Sequence, residues 1–288
     1  KLTRKYYTED MPDGRVKHIV QNITDPDIVP YIPDGIGNST DRQRIPAVLI
    51  IPGGAFRRLV YNFEGEDVAK WLNSMGIAAF VLECRLPSDE HDNAEDVPLI
   101  DAMRAMRVIR GRAQEFGIDE AKIGVMGFSA GGFMAALLST AYESDVYADY
   151  KYKDEYDKLS ARPDFAVCSY PVISIDDCIE AGKRYMSEEQ VLERISDSKA
   201  KILHKYNPDK LVRPDMPPVF ICETDDDRTT LSENSVGFYM AARKAGVSAE
   251  LHIFRTGGHG YGCGDDSAQT GEWKVLFTKW IKSIGIIS

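Results

Sequence analysis

The nine residues GVMGFSAGG, at 124–132, decide how the chain is read. They set one serine, Ser129, between Gly127 and Gly131. An apolar run, KIGVMGF (122–128), leads in, and a helix-like run, AGGFMAALLSTAYE (130–143), leads out. The pattern G-x-S-x-G marks a strand turning sharply into a helix, with the serine oxygen lifted out of the sheet. Glycine two residues to either side is expected where anything bulkier would not fit. Five residues carry little weight alone. Their meaning depends on a base, an acid and oxyanion donors standing elsewhere in the right chain order.

Working outward, short apolar runs alternate with longer helix-patterned segments. PAVLIIP (46–52), IAAFVLEC (77–84), KIGVMGF (122–128), FAVCSYPVI (165–173), PVFICE (218–223) and AELHIF (249–254) read as strands. Most are continuously apolar, as parallel strands covered on both faces should be. GEDVAKWLNSMG, DVPLIDAMRAMRVIRGRAQEFG and SENSVGFYMAARKAG lie between them as helices. In the second of these, Val97, Ile100, Met103 and Met106 form one apolar face. Gly76, Gly117 and Gly246 stand where C-terminal caps belong. The alternation predicts a doubly wound, mostly parallel α/β sheet with helices on both faces. VKHIVQNI and DIVPYIP predict one or two further strands, as an antiparallel edge. The whole of 1–288 reads as one domain. Residues 174–212 are polar and helix-patterned, and are expected to form a small cap insertion over the C-terminal ends of the strands.

Composition sets the class. With 43% hydrophobic and 28% charged residues, the 288-residue chain has enough apolar content for a sizeable core. A net charge of -10 argues against nucleic acid, whose phosphates require a basic surface. It gives no reason to expect an anionic membrane as partner. No apolar run is long enough for a transmembrane helix. KLTRKYYTED has no signal-peptide core, and the five cysteines are scattered without a C-x-x-C pair. Those thiols favour a reducing, cytoplasmic setting, with a secreted or periplasmic one the alternative if a leader has been removed.

A serine needs a base. His18, His91, His204 and His252 fall in a strand, a charged loop, the cap and a strand respectively. His259 lies in RTGGHGYG, a glycine-rich loop just after the last strand, and is the best-placed base. The acid that orients it is sought in ETDDDRT, which offers Glu223, Asp225, Asp226 and Asp227. The order serine, aspartate, histidine is that of α/β-hydrolases. LIIPGGAFRRL, after the first central strand, supplies Gly53 and Gly54, where backbone can approach a substrate carbonyl. Free amides there, with that of Ala130, would face a developing oxyanion.

On these residues the chain resembles α/β-hydrolase esterases related to bacterial acetyl esterases and xylan-associated esterases. The resemblance runs from about residue 44 to about residue 284. DAMRAMRVIRGRAQEFGIDEAKIGVMGFSAGG is its most specific block, followed in order by SYPVIS, PPVFICETDDD, AGVSAELHIF and GGHGYG. It implies Ser129 as nucleophile, Asp227 as acid with Asp226 in reserve, His259 as base, and Gly54, Ala55 and Ala130 as oxyanion donors. It implies short acyl substrates, acetyl on a carbohydrate above all, and neither metal nor organic cofactor. Three departures stand out. Ala55 replaces a third loop glycine, Thr230-Leu231 replaces a Val-Pro, and Glu223 sits four residues before the acid. Phe56 and Tyr61, just after the oxyanion loop, are expected either to wall the acyl pocket or simply to pack. Trp71, Trp273 and Trp280 read as core anchors, Arg85 as a structural ion-pair partner, and Asp176 and Asp177 as a helix cap. An amidase, a peptidase or an arylformamidase-like enzyme on the same scaffold is the alternative, and a non-catalytic binding module is a third reading.

Overall fold

The computed structural model describes residues 3–35, 44–89, 91–148, 150, 153–196 and 201–288. The strands are β1 (Lys5–Asp10), β2 (Val16–Gln21), β3 (Asp27–Tyr31), β4 (Ile45–Ile51), β5 (Leu59–Val60), β6 (Ala78–Glu83), β7 (Ile118–Phe128), β8 (Ala166–Ser169), β9 (Val219–Thr224) and β10 (Ala249–Phe254). The α-helices are α1 (Asp67–Ser74), α2 (Val97–Gly111), α3 (Ala113–Phe116), α4 (Ala130–Ala141), α5 (Ile175–Tyr185), α6 (Glu188–Ser196), α7 (Lys201–Lys205), α8 (Ser232–Lys244) and α9 (Glu272–Ser283).

Seven strands form the main sheet in the order β10-β9-β8-β7-β4-β6-β3. Six run parallel, and β3 closes one edge antiparallel to β6. Pro30 lies in that edge strand, where a missing N–H is tolerated. The continuous apolar character of β4 has a simple cause. Ala47, Leu49 and Ile51 enter one core, and Val48 and Ile50 enter the other. The first core takes Leu99 and Met103 of α2, Phe133 of α4 and Phe238 of α8. The second takes Val68 and Leu72 of α1, with Trp273 and Phe277 of α9. Helices thus cover both faces, as the alternation predicted.

Several details differ from the sequence reading. Of the two N-terminal runs, only DIVPYIP joins the main sheet. VKHIVQNI supplies β2, which pairs instead with β1 and β5 in a separate three-stranded sheet. The long helix breaks at Arg112 into α2 and α3. The FAVCSYPVI strand stops at Ser169, because Tyr170 takes a φ of 36° and Pro171 follows with no N–H to donate. The polar stretch at 174–212 supplies α5, α6 and α7 between β8 and β9. The N-cap of α5 is Ser174, whose hydroxyl oxygen accepts from the Asp177 amide. Asp176 and Asp177 therefore lie in the first turn and are not the cap itself. Trp273 and Trp280 are buried core anchors, while Trp71 is half-buried against Trp273. Arg85 forms a close ion pair with the buried Asp101.

Candidate active site

The C-terminal ends of β4, β7, β9 and β10 bring the site together. Between β7 and α4 the chain turns at Ser129, with φ 54° and ψ −119°. Such a conformation costs on the order of 1–3 kcal/mol and persists only where its surroundings over-determine it. Here the Ser129 amide donates to the Ser169 carbonyl at 3.0 Å, and its own carbonyl accepts from Phe133 at 3.0 Å. The flanking glycines are required by proximity. A Cβ on Gly127 would overlap the Gly131 carbonyl, and one on Gly131 would overlap that of Ile51.

Ser129 Oγ lies 2.8 Å from His259 Nε2. On the far side of the ring, Nδ1 lies 2.6 Å from Asp227 Oδ2. With Nδ1–H donating to the carboxylate, Nε2 is left as acceptor for the serine proton. Asp227 is buried, and its remaining lone pairs are occupied. Oδ1 accepts the amides of Thr229 at 2.7 Å and Thr230 at 3.0 Å, and Oδ2 accepts the Thr230 hydroxyl at 3.0 Å. Burial alone would raise the Asp227 carboxyl. The hydrogen bond and charge of His259, with these amides, hold it below the ordinary range instead.

The three adjacent aspartates have separate tasks. Asp226 accepts the amides of Gly257 at 2.9 Å and Gly258 at 2.8 Å, which ties the histidine loop to the end of β9. Asp225 is exposed, and its amide donates to Phe254. Glu223 is fully buried beside Asp227, and burial first, then the Asp227 charge, pushes its carboxyl well above the usual range. The residue that departs from the family pattern thus holds its proton tightly beside the acid, as a hydrogen-bonding neighbour and not as a second charge.

The oxyanion loop follows β4. Ala55 and Phe56 have φ values of 57° and 59°, an unusual pair of left-handed non-glycine residues. Among the described residues, the amides of Gly54, Ala55 and Ala130 find no intramolecular acceptor. A cavity of about 420 Å³ opens over the site, lined by Gly54, Ala55, Ser129, Thr229 and His259, and by Lys17, Arg57 and Arg58. Phe56 and Tyr61 are not in that lining. The left-handed turn sends Phe56 inward, edge-on to Phe133 at 5.5 Å, and Tyr61 bonds the Tyr31 hydroxyl at 3.3 Å. Both therefore pack, the second of the two expectations, and Phe56 also borders a small cleft with Gly53, Ala130 and Gly131.

Two features escaped the sequence. Lys17 and Gln21 of β2 help to line the cavity, so the N-terminal sheet reaches the site. Glu64 is buried at the cavity floor and bonded to the oxyanion loop. Neither lies in a recognisable motif. Among the described residues, no group of three or more His, Cys, Asp or Glu side chains is arranged to hold a metal ion.

Comparison with known proteins agrees with this architecture. The chain is 36% identical to an acetyl ester-xyloside bifunctional hydrolase from Caldicellulosiruptor lactoaceticus, with a TM-score of 0.71 over 91% of this chain and 89% of that one. A carboxylesterase from Lactobacillus plantarum, 20% identical, shares the fold with a TM-score of 0.72 over 100% and 99% of the two chains. An acetylxylan esterase of Xylanibacter ruminicola is 30% identical over 240 residues, 83% of this chain and 45% of that protein. An endo-1,4-beta-xylanase B of Butyrivibrio fibrisolvens is 29% identical over 274 residues, 92% and 41% of the two. The chain thus spans less than half the length of these two curated relatives. The BD-FAE family profile matches residues 36–241. With that match spanning most of the sheet and its nucleophile elbow, the chain belongs to the BD-FAE family, on the α/β-hydrolase fold.

Proposed function

We propose that the chain hydrolyses short-chain carboxylic esters, acetyl groups on a carbohydrate above all, through an acyl-enzyme on Ser129. The observation that carries this reading is the continuous hydrogen-bonded line from Ser129 Oγ through His259 to Asp227, at 2.8 and 2.6 Å. In this reading Ser129 Oγ attacks the ester carbonyl while His259 Nε2 takes its proton. The amides of Gly54, Ala55 and Ala130 receive the charge that develops on the carbonyl oxygen. The tetrahedral intermediate collapses, and His259 returns the proton to the departing alcohol. Water then enters, His259 removes its proton, and attack on the acyl carbon frees the acid and Ser129. Asp227 keeps the imidazole oriented and stabilises its charged form throughout.

Two observations support a carbohydrate alcohol. Beside Val60 and Phe63, the cavity lining carries the polar and charged side chains of Lys17, Gln21, Arg57 and Arg58. Relatives that cover most of this chain are named for acetylated xylan or xylosides. The test is acetate release from acetylated xylo-oligosaccharides, with an aryl acetate and the matching aryl acetamide alongside. Release from the sugar is expected, with little cleavage of the amide. Preferential cleavage of the amide would move the chain to the amidase reading.

A further inference from the structure

We infer that Glu64 is a positioning residue whose carboxylate locks the oxyanion loop and the histidine loop into one geometry. Glu64 sits in a π-helical turn, Asn62–Glu66, just before α1, and is buried. Its Oε2 accepts the Gly53 amide at 2.8 Å. Its Oε1 accepts the Tyr170 hydroxyl at 2.9 Å. The Tyr170 hydroxyl oxygen in turn accepts the Gly262 amide at 2.9 Å, three residues beyond His259. One carboxylate thereby links the segments that follow β4, β8 and β10.

Each link touches the chemistry indirectly. Gly53 immediately precedes Gly54, the first of the free amides. Its carbonyl is also fixed, by the Val60 amide at 2.9 Å. With both sides of Gly53 held, the next two peptide planes are aimed by the backbone alone. Tyr170 meets His259 edge-on at 5.0 Å between ring centroids and Tyr261 at 4.5 Å. Holding its hydroxyl therefore holds the ring that backs the imidazole. The approach is close: a Cβ on Gly53 would stand within 2.7 Å of Glu64 Oε2 and 2.9 Å of Ser129 Cβ.

A carboxylate suits this place because both neighbours are donors. Glutamine, of the same shape, offers one acceptor oxygen and would satisfy only one of them. Burial pushes the Glu64 carboxyl above its ordinary range, while the charge of His259, the Tyr170 hydroxyl and the Gly53 amide pull it back. The contacts that give the group a function thus offset part of the cost of burying it, and burial still outweighs them.

The consequence for rate rests on the Ser129 acyl-enzyme reading, but the consequence for the loops does not. The experiment uses the full chain with Glu64→Gln, Tyr170→Phe and the double variant. Hydrogen exchange by mass spectrometry reads residues 52–58 and 257–264 in the absence of substrate. Kinetics on an aryl acetate give kcat and KM, and an alkylboronic acid that adds to serine gives a transition-state-like affinity. Both single variants should speed exchange in both loops together. Each should lower kcat by about 10- to 100-fold, with KM within about threefold, because oxyanion donors act in the transition state. Boronate affinity should fall with kcat. The double variant should be no worse than the poorer single one, since the two residues form one link. Unchanged exchange in the 257–264 loop of a folded Glu64→Gln protein would overturn the link itself. Wild-type kcat in that variant, or fully multiplicative losses in the double one, would overturn its role in turnover. Should Glu64→Gln fail to fold, Tyr170→Phe carries the comparison through residues 52–58, where unchanged exchange would overturn the link. An inactive wild-type chain would instead refute the esterase reading, with the exchange result still deciding the link.

Discussion

His259 Nδ1 stands 2.6 Å from Asp227 Oδ2, while the neighbouring Asp226 is bound to the amides of Gly257 and Gly258. Adjacent carboxylates therefore do different work. One orients the imidazole, and the other shapes the loop that carries it. Asp227→Asn should lower kcat/KM by about 10³-fold or more, because an amide in that place disfavours the Nδ1–H tautomer. Asp226→Asn retains an acceptor oxygen for the loop amides and should cost no more than about tenfold. Steady-state kinetics of the two folded variants decide the matter. Equal, mild losses would mean that the imidazole has another partner.

Glu223 gives a prediction about pH. Its carboxyl is raised well above the ordinary range, first by burial and next by Asp227. The folded state then holds this proton more tightly than the unfolded chain, whose glutamate titrates near pH ~4.3. The stabilising contribution is full below that pH and is lost as pH climbs through the raised value. Glu223→Gln cannot ionise. Its Tm relative to wild type should therefore improve steadily from pH 4 to pH 8. A difference that stays flat across the range would show that Glu223 does not change protonation on folding.

Asp227 works in the opposite sense. Its carboxyl is lowered by His259 and by the loop amides despite its burial. Its stabilising contribution is present above the unfolded aspartate pKa of ~3.9 and is lost as pH falls through the lower folded value. Asp227→Asn should thus flatten the acid limb of the Tm profile below about pH 4. A variant that melts in parallel with wild type down to pH 2 would contradict this.

Acyl preference follows from the cavity walls. A pocket lined by carbon would gain about 0.8 kcal/mol for each methylene it buried. Here Lys17, Gln21, Arg57 and Arg58 share the lining, and Phe56 and Tyr61 have turned away to pack elsewhere. Beyond the contact that Val60 and Phe63 offer, longer chains would meet these charged side chains and gain little. Across aryl acetate, butyrate and octanoate, kcat/KM should be highest for acetate. A maximum at octanoate would point to a lipid or general carboxylesterase.

Much of this site was legible because its constraints are local. Gly127 and Gly131 are adjacent to Ser129, and their hydrogens leave just enough room for the elbow. His259 stands in a glycine-rich loop directly after the last strand. The choice of Asp227 from its neighbours came from a family pattern, and the hydrogen bonds supply its physical basis. Glu64 was not legible, because Tyr170 is distant in sequence and nothing in the loop between Gly53 and Glu64 marks their pairing, which is made where three strand ends converge. Phe56 was left between two readings for a different reason. Being next to the oxyanion loop in sequence suggested the pocket, but two left-handed residues reverse the chain's direction there. Likewise, VKHIVQNI carries a strand pattern that does not state which sheet it will join.

The central claim is that Ser129 is the nucleophile, and a covalent trap tests it most directly. The wild-type chain and a folded Ser129→Ala variant are each treated with an aryl phosphonate ester, and the adduct is located by peptide mass mapping. One adduct is expected on the wild type, at Ser129, and none on the variant. Ester turnover by Ser129→Ala should fall by about 10³-fold or more, with Tm close to wild type. A label on another residue, or near-normal turnover by the folded variant, would contradict the account.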